Sequence, residues 1–436
     1  MKNACILFTV GAFFYSAFNI PLGKCHAAGN FPRYRAIHMG GNWGVTSDFV
    51  TLPPDYFLFL KRLNVKWVGI SVALHYDDSM DSTVERKYSG VSIPTFTDEV
   101  LIGIIRKFKE YGFSVYLTLA FEAHEAANAA HPVSRWQLGD PKMPSEDPSI
   151  LEKFWPWSLS HPKHQQFVTQ FWNSYTQQAV YFAHLAQQEG VELFSLGTET
   201  ERLFRTRSGG YWPNDFKHQL SAMVTAVRSV YDGKLTYDMS YDALIPNFYS
   251  PGSDYLFEDL GLDVVGISAY FHLSEIPLTT VMSVESLNAK WGEIFNNYLI
   301  PLKNRNLNKP ILFLEFGYCD SVQAPFQPNA EEFSNRVFID SNGNGVDDGQ
   351  ETQANIYKAF FTTIDNNQDL IQGAFLWGHS MISDQNWANG WASMREFSVR
   401  GKAAETVVKE VYDKWADPSS KPGQKSMPWL DLLLSP

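Results

Sequence analysis

Two glutamates stand where apolar runs give way to loops. Glu199 closes the run 194–199, and Glu315 lies within the run 311–318. Hydrolysis of a glycosidic bond with retention needs a carboxylic acid to protonate the leaving oxygen and a carboxylate to attack the anomeric carbon, about 5–5.5 Å apart. The two residues therefore predict a retaining glycosidase, provided that the fold brings their strand ends together.

Other carboxylates near these positions leave alternatives open. Glu201 lies two positions after Glu199 and competes for the acid role, with Arg202 and Arg205 close behind it. An arginine favours the ionised form of a neighbouring carboxyl group, which suits a nucleophile or a structural ion pair better than an acid. An inverting hydrolase using Glu201 or Asp238 is a second possibility, and it requires a wider carboxyl separation of roughly 6.5–9.5 Å.

The elements that position these residues alternate along the chain. Short apolar runs are mostly followed by longer amphipathic segments, and glycines at 112 and 190 stand where helix C-caps belong. This order predicts a (β/α)8 TIM barrel, in which the chemistry lies at the carboxyl ends of the strands. An open doubly wound sheet would need a glycine-rich phosphate turn, and residues 40–44 lack its spacing. The eight runs begin near Ile37, Val65, Phe113, Val191, Leu235, Asp263, Ile311 and Gln372.

At residues 197–199 and 314–318 the chain resembles the glycoside hydrolases of clan A, most closely the family 113 β-mannanase type. The resemblance covers residues 30–415 at the level of organisation. It implies that Glu199, at the end of strand 4, is the general acid/base and that Glu315, at the end of strand 7, is the nucleophile. It also implies that Tyr270 hydrogen-bonds the nucleophile and that Trp377 forms the floor of the subsite for the reacting sugar.

One position departs from the pattern of these relatives. Clan A enzymes usually carry an asparagine before the acid/base, where its amide binds the sugar 2-hydroxyl, and this chain has Thr198. A threonine hydroxyl donates only one hydrogen bond, so the sugar that the site accepts is left open. The resemblance therefore indicates the class of reaction more firmly than the substrate.

Further strand-end residues are candidates for binding sugar hydroxyls or rings. Trp43 follows strand 1 and His124 follows strand 3, two positions after Glu122. Each can equally belong to a packed core or a satisfied hydrogen-bond network. His124 and Glu122 do not suffice for a catalytic metal site, since no His-x-His pair occurs on strand 1, and no catalytic cofactor is predicted.

A long loop from 124 to 163 carries three tryptophans among many prolines: Trp136, Trp155 and Trp157. Tryptophans on a loop at the catalytic face favour a platform for an extended sugar chain over a site for a small aryl glycoside. The alternative is that these rings pack against each other and hold the loop.

The segment after strand 7, residues 337–352, contains a calcium-loop pattern. Oxygen-bearing side chains occupy positions 1, 3 and 5, glycine follows at position 6, a backbone carbonyl serves position 7, and a glutamate closes position 12. The pattern predicts a structural Ca2+ site, although a solvated Asn/Gly turn is the alternative. The predicted ligands are Asp340, Asn342, Asn344, Val346 and Glu351.

Composition excludes some partners. The chain has 35 Lys and Arg against 47 Asp and Glu, a formal charge of −12, and no basic run for nucleic acid. Aromatic residues make up 15% of the chain, which suits a neutral sugar ligand. Two of the three cysteines precede residue 28, so Cys319 has no intrachain disulfide partner in the mature protein.

The amino-terminal residues 1–27 predict a secretory signal peptide, with a lipoprotein anchor at Cys25 or an uncleaved membrane anchor as alternatives. The expected organisation is a barrel over 30–416 and a tail over 417–436. These features predict a secreted or periplasmic monomer, off the membrane after cleavage, that cuts a β-linked polysaccharide such as mannan from within. A carbohydrate-binding barrel without turnover is the alternative from the binding class.

Overall fold

The computed structural model is a closed barrel of eight parallel strands in the order β1 to β8, which confirms the predicted (β/α)8 fold. It describes residues 32–41, 46–77, 81–123, 135, 162–200, 217–245, 256–328, 338–390 and 396–416. The strands β1 to β8 span Tyr34–His38, Trp67–Tyr76, Ser114–Ala123, Leu193–Thr198, Lys234–Ser240, Val265–Ser268, Ile311–Phe316 and Gly373–Leu376.

Helices surround the barrel between the strands. Gly112 and Gly190 adopt φ values of +81° and +64° after two of these helices, which confirms their predicted C-cap roles. The helices, here α1 to α11, span Thr46–Thr51, Pro54–Arg62, Asp98–Glu110, Pro162–Gln188, Lys217–Arg228, Leu256–Asp259, Val284–Ile294, Ile300–Arg305, Asp348–Asn366, Asp384–Ala388 and Ala403–Ala416. A 3-10 turn covers Tyr241–Leu244, and a π segment covers Phe295–Leu299.

Most strand residues are buried on both faces, between the barrel interior and the helices, and most of them are apolar. One core cluster fills the layer between strands and helices. A second cluster combines residues of five strands with Val264, next to β6, as expected where inward side chains fill the barrel rather than leave a pore. Its members are Tyr34, Ala36, Tyr116, Leu193, Val264, Leu312, Leu314 and Phe375.

Both strands associated with the two glutamates lose their regular register near their carboxyl ends. Pairing of β4 with β5 shifts between Ser195 and Thr198. Pairing of β7 with β8 shifts between Phe313 and Phe316. Such irregularities redirect side chains and are frequent beside active sites. Near Glu199 and Glu315, the simple alternation of side chains along a strand therefore gives the wrong face for some residues.

No helix among the described residues is both long enough and apolar enough to cross a membrane. The predicted signal peptide and the predicted tail fall within residues 1–31 and 417–436, outside the described residues.

Candidate active site

Glu199 directly follows β4 and has an unusual backbone conformation. Its φ is +52°, in the left-handed region that a side chain disfavours by roughly 1–3 kcal/mol. Its N–H donates to the carbonyl of Asp238 at 2.8 Å. The next residue is held as well, since the Thr200 N–H donates to the hydroxyl of Tyr237 at 2.7 Å. Neighbouring strand β5 thus fixes a strained backbone that sets the direction of the Glu199 carboxylate.

Glu315 lies on β7 with only 2% of its surface exposed. The hydroxyl of Tyr270 donates a hydrogen bond to Glu315 Oε2 at 3.0 Å. Burial, and secondarily the charge of Glu199, raise the pKa of Glu315 to about 8, while Arg135 and the Tyr270 hydrogen bond act in the opposite direction. Glu199 and Glu315 act on each other electrostatically, and both act on Arg135, so the two predicted carboxylates lie near one another at the carboxyl ends of the strands.

Arg135 is a site residue that the sequence analysis missed. Its Nε lies 3.3 Å from Glu199 Oε2, and its Nη1 donates to Glu122 Oε1 at 3.4 Å. The sequence analysis considered arginines 202 and 205 because they are near Glu199 in the chain, and these two lie outside the described residues together with Glu201. A partner 64 positions away carries no signal of spacing or periodicity.

Of the two aromatic residues that the resemblance implies, Tyr270 lies beside Glu315, and the Trp377 N–H donates to the carbonyl of Phe316, the residue after Glu315, at 2.8 Å. Tyr270 contacts Glu315, and burial raises the pKa of Tyr270 well above its usual range, so that it serves as a neutral donor. Trp377 is 4% exposed and packs in a cluster with Cys319 and Phe397. Little of the Trp377 surface is therefore open to contact with a sugar.

His38 is a second residue that the sequence analysis missed. Its ring centroid lies 4.7 Å from that of Trp377, at an interplanar angle of 44°. Burial lowers the pKa of His38 to about 3, and its Nδ1 accepts a hydrogen bond from the Gly40 N–H at 2.9 Å. The imidazole is therefore neutral, with its proton on Nε2. Its ring packs against the ring of Trp377.

Thr198 faces the barrel interior. Its side chain is fully buried, and its hydroxyl shares a hydrogen bond of 2.8 Å with the hydroxyl of Thr118 on β3. Contact between Thr198 and a sugar hydroxyl stays a prediction, and it would require this hydrogen bond to be exchanged. The register shift on β4 explains the inward direction, which the sequence alone does not reveal.

Asp238, the alternative carboxylate for an inverting reaction, is fully buried on β5. The Ser268 hydroxyl donates to its Oδ1 at 3.0 Å. A carboxylate without exposed surface is poorly placed to activate a water molecule. Trp43, His124 and the three loop tryptophans lie outside the described residues, so their predicted sugar contacts remain predictions.

The calcium-like loop has a compact arrangement of oxygen atoms. Asp340 accepts from the N–H groups of Asn344 at 3.0 Å and Gly345 at 2.8 Å. Glu351 Oε2 accepts from the side-chain amides of Asn342 and Asn344, each at 2.8 Å. Gly345, at position 6, has a φ of +83°, and α9 starts at Asp348, which places Glu351 in its first turn. Four predicted side-chain ligands thus converge.

Carboxylates alone do not form a metal site here. Within the described ranges, no group of three or more His, Cys, Asp and Glu side chains is arranged to hold a metal ion. A cation in this loop would therefore depend on the amide oxygens of Asn342 and Asn344 and the carbonyl of Val346, in addition to the two carboxylates. Such mixed oxygen donors are typical of calcium sites.

Comparison with known proteins decides the family. The family model described as Glycoside Hydrolase Family 113 matches residues 154–402, more than half of the chain. The chain belongs to glycoside hydrolase family 113. It is therefore a glycoside hydrolase, and the matched region includes both glutamates and the calcium-like loop. A search of curated protein sequences gives no significant match.

Solved structures share the fold of this family 113 enzyme. A GH113 β-1,4-mannanase in a complex is 16% identical, with a TM-score of 0.59, covering 88% of this chain and 99% of its own. The GH113 β-mannanase AaManA from Alicyclobacillus acidocaldarius, in complex with ManMIm, is also 16% identical, with a TM-score of 0.58, covering 89% of this chain and 100% of its own. At this identity, the similarity establishes the barrel alone.

The buried Glu315 predicts a pH dependence of stability. Its folded-state pKa of about 8 exceeds the usual 4.5, so the folded state binds the proton more tightly than the unfolded state. The resulting stabilisation is complete below pH 4.5 and is lost as pH rises towards 8. Glu315→Gln removes this dependence. The free energy of unfolding of the variant, minus that of the unmodified enzyme, should therefore increase from pH 4.5 to 8. Urea unfolding at several pH values measures this difference.

Glu293→Gln is the control for this experiment, because Glu293 is exposed and pairs with Lys290 on the surface. Its stability difference from the unmodified enzyme should stay level across the same pH interval. A level difference for Glu315→Gln as well would show that Glu315 is ionised in the folded enzyme throughout.

Proposed function

We propose that this family 113 enzyme is a retaining β-glycoside hydrolase that cuts within a β-linked polysaccharide such as mannan. In this proposal Glu315 is the nucleophile and Glu199 is the general acid/base. The observation that carries it is the electrostatic interaction of Glu199 with Glu315 at the ends of β4 and β7, with the Tyr270 hydroxyl 3.0 Å from Glu315 Oε2. A retaining enzyme needs two close carboxyl groups at this point.

The first step forms a bond between Glu315 and the anomeric carbon. The Tyr270 hydrogen bond holds Oε2 in place and favours the carboxylate form, which leaves Oε1 as the attacking atom. As the bond from the anomeric carbon to the leaving oxygen breaks, protonated Glu199 gives its proton to that oxygen. The products of this step are a glycosyl ester of Glu315 and a shortened sugar chain.

The second step hydrolyses that ester. Glu199, now a carboxylate, removes a proton from a water molecule, and the water oxygen attacks the anomeric carbon. The bond to Glu315 breaks, and its carboxylate returns. Two displacements at the same carbon restore the original β configuration of the sugar.

In the free enzyme, the burial of Glu315 favours the opposite assignment of the acid and nucleophile roles to the two glutamates. The raised pKa of Glu315 keeps a proton on Glu315 before substrate binds. The forward reaction requires that proton on Glu199. In our proposal, the positive charge that develops on the anomeric carbon stabilises ionised Glu315. Because two interacting carboxyl groups titrate as a pair, this drives the proton from Glu315 to Glu199. The alternative is the reverse assignment, with Glu315 as the acid.

Mannan is the proposed substrate because the solved relatives with the same fold and family are named β-mannanases. A carbohydrate-binding barrel without turnover is a weaker proposal. Binding alone gives no reason to keep Glu199 in a strained backbone conformation beside a second buried carboxylate.

The test is hydrolysis of β-mannan, β-glucan, xylan and β-galactan, with the anomer of the first product followed by proton NMR. The proposal expects turnover of mannan with initial release of the β anomer. Initial release of the α anomer would show inversion, and saturable binding without turnover of any polymer would support the binding alternative.

We also propose export from the cytoplasm and a monomeric state. The support for export is the charged and then apolar composition of residues 1–27, followed by small residues at a cleavage site. Amino-terminal sequencing of the secreted protein and its molar mass in solution test the two points.

We further propose that the loop 340–351 binds one Ca2+ that stabilises the segment between β7 and α9. Its support is the twelve-position spacing of oxygen donors and the convergence of Asp340, Asn342, Asn344 and Glu351. The role of the ion is structural, because the proposed chemistry needs only protein carboxyl groups and water.

Calcium removal is expected to lower the melting temperature by a few degrees. A ligand at 100 times its dissociation constant stabilises a folded protein by about 2.7 kcal/mol, and a chain of this size has a large unfolding entropy. Differential scanning calorimetry with Ca2+ and with EDTA measures the shift. Glu351→Gln should abolish it, whereas the surface variant Glu293→Gln should retain it. Equal melting temperatures of the unmodified enzyme under both conditions would contradict the site.

A further inference from the structure

Phe397 is an aromatic residue beside the active site that the sequence analysis did not identify. It lies in the segment after β8, is 4% exposed, and belongs to one apolar cluster with Cys319 and Trp377. Its ring packs edge-on against the ring of Tyr270, with centroids 6.2 Å apart and an interplanar angle of 73°. Aromatic pairs favour this arrangement. Phe397 therefore packs against the ring whose hydroxyl donates to Glu315.

The backbone alone does not fix the direction of the Tyr270 hydroxyl. The chain beside Tyr270 is anchored, since the Ala269 N–H donates to the carbonyl of Glu315 at 2.7 Å. The ring can still turn about its side-chain torsions. The hydroxyl lies at the far end of that side chain, so a small rotation would carry it away from Glu315 Oε2. The edge of the Phe397 ring limits this rotation.

A glycine makes room for Phe397 next to Glu315. A methyl group on Gly317 would lie 2.8 Å from Cδ1 of Phe397 and 3.2 Å from Cβ of Trp377. Carbon atoms in favourable contact lie about 3.5–4.0 Å apart, so a side chain at this position would displace the phenylalanine ring. The ring therefore packs directly on the backbone that follows β7.

A buried amide holds the segment that carries Phe397. Gln353, on α9, is fully buried, and its Nε2 donates to the carbonyl of Tyr318 at 2.8 Å and to that of Phe397 at 3.1 Å. Lys402 and Asp320 form a largely buried ion pair at 3.0 Å between the same two segments. Breaking a buried hydrogen bond leaves polar groups unsatisfied, which is costly. The segments after β7 and β8 are therefore fixed to each other.

We infer that Phe397 is a positioning residue for the reaction. Its ring fixes the orientation of Tyr270, and the Tyr270 hydroxyl in turn fixes the Glu315 carboxylate. Gln353 holds the backbone of Phe397 in the position that this requires. The inference rests on the proposed role of Glu315 as nucleophile. Because Phe397 acts through the hydroxyl of Tyr270, its replacement should affect catalysis only while that hydroxyl is present.

The experiment compares Phe397→Leu, Tyr270→Phe and the double variant with the unmodified enzyme. The probe is the 2,4-dinitrophenyl β-glycoside of mannobiose, whose leaving group departs without a proton, so that kcat/KM reports the attack by Glu315. Phe361→Leu is the matched control, because Phe361 is buried and packs against Trp415, with ring centroids 5.4 Å apart, between α9 and α11. The melting temperature of each variant measures its stability.

The expected result is a loss of activity that does not multiply. Tyr270→Phe should lower kcat/KM by roughly 10–100-fold, the effect of a lost hydrogen bond to a charged group. Phe397→Leu should lower it by about tenfold, since a misplacement of 1 Å can cost about a hundredfold. The double variant should match Tyr270→Phe alone. Phe361→Leu should lower the melting temperature as Phe397→Leu does and leave kcat/KM unchanged.

Gln353→Met tests the same role without a change in either ring. Methionine keeps the length of the side chain but removes the donor to the carbonyls of Tyr318 and Phe397. We expect a smaller loss of kcat/KM than for Phe397→Leu, and this loss should also disappear in the Tyr270→Phe background. This variant decides the question if Phe397→Leu does not fold.

Two results would overturn the inference. One is an unchanged kcat/KM in folded Phe397→Leu and Gln353→Met. The other is a double variant whose loss equals the product of the Phe397→Leu and Tyr270→Phe losses, because Phe397 would then act independently of the hydroxyl. Undiminished activity of Glu315→Ala would overturn the proposed function and the inference with it, which separates that failure from the other two.

Discussion

Glu315→Ala is expected to reduce kcat on β-mannan by about 10⁵-fold or more, the order of loss seen when a nucleophile is removed from a concerted catalytic set. Without the carboxylate, no atom of the protein forms the bond to the anomeric carbon, and Tyr270 loses the group that it orients. Release of reducing ends from mannan, followed over hours to capture slow turnover, measures the effect.

The loss should occur in a folded enzyme. Glu315 is a buried carboxyl group, so its removal relieves a desolvation cost and should leave the melting temperature equal or higher near pH 8. Glu258→Gln is the matched control, since Glu258 is half-buried on α6 and pairs with Arg305 at 3.1 Å, outside the pocket. Retention of more than about a hundredth of the activity by a folded Glu315→Ala protein would rule out Glu315 as the nucleophile.

The barrel was predictable from sequence because buried parallel strands have a simple signature. Val65, Phe113 and Ile311 begin apolar runs at or within two residues of observed strand starts, at Trp67, Ser114 and Ile311. Apolar character on both faces reflects burial between two layers, which requires no knowledge of the partner strand. Counting the runs was then enough to place Glu199 and Glu315 at the ends of β4 and β7.

The local geometry of the site was not predictable in the same way. Thr198 faces inward because β4 loses register before its end, and a register shift depends on the neighbouring strand rather than on the run itself. Likewise, the left-handed φ of Glu199 is maintained by hydrogen bonds to β5. The sequence therefore predicts which residues lie at the site, whereas the directions of their side chains depend on contacts between strands.

Ionic partners across long separations were missed for a related reason. Arg135 belongs to a connecting segment without periodicity, and nothing in its neighbourhood points to Glu199. Arg202 and Arg205 are close to Glu199 along the chain but lie outside the described residues. Among the described residues, Arg135 is an arginine that contacts Glu199 from a distant part of the sequence.

Glu199→Ala is expected to slow hydrolysis of mannan by roughly 10²–10⁴-fold, the usual contribution of a general acid or base. The loss should be much smaller for the first step on the 2,4-dinitrophenyl glycoside of mannobiose, because that leaving group needs no proton. Comparison of kcat/KM on the two substrates measures the difference. Glu258→Gln, which lies away from the site and pairs with Arg305, is again the control.

Added azide distinguishes the two carboxylates by the product that it forms. In Glu199→Ala, azide fills the space of the missing base and attacks the glycosyl-enzyme from the water side, which gives a β-glycosyl azide. In Glu315→Ala, azide fills the space of the missing nucleophile and attacks the substrate directly, which gives the α anomer. If the two variants exchange these products, Glu315 is the acid, and the proton that its burial retains in the free enzyme is the one used in catalysis.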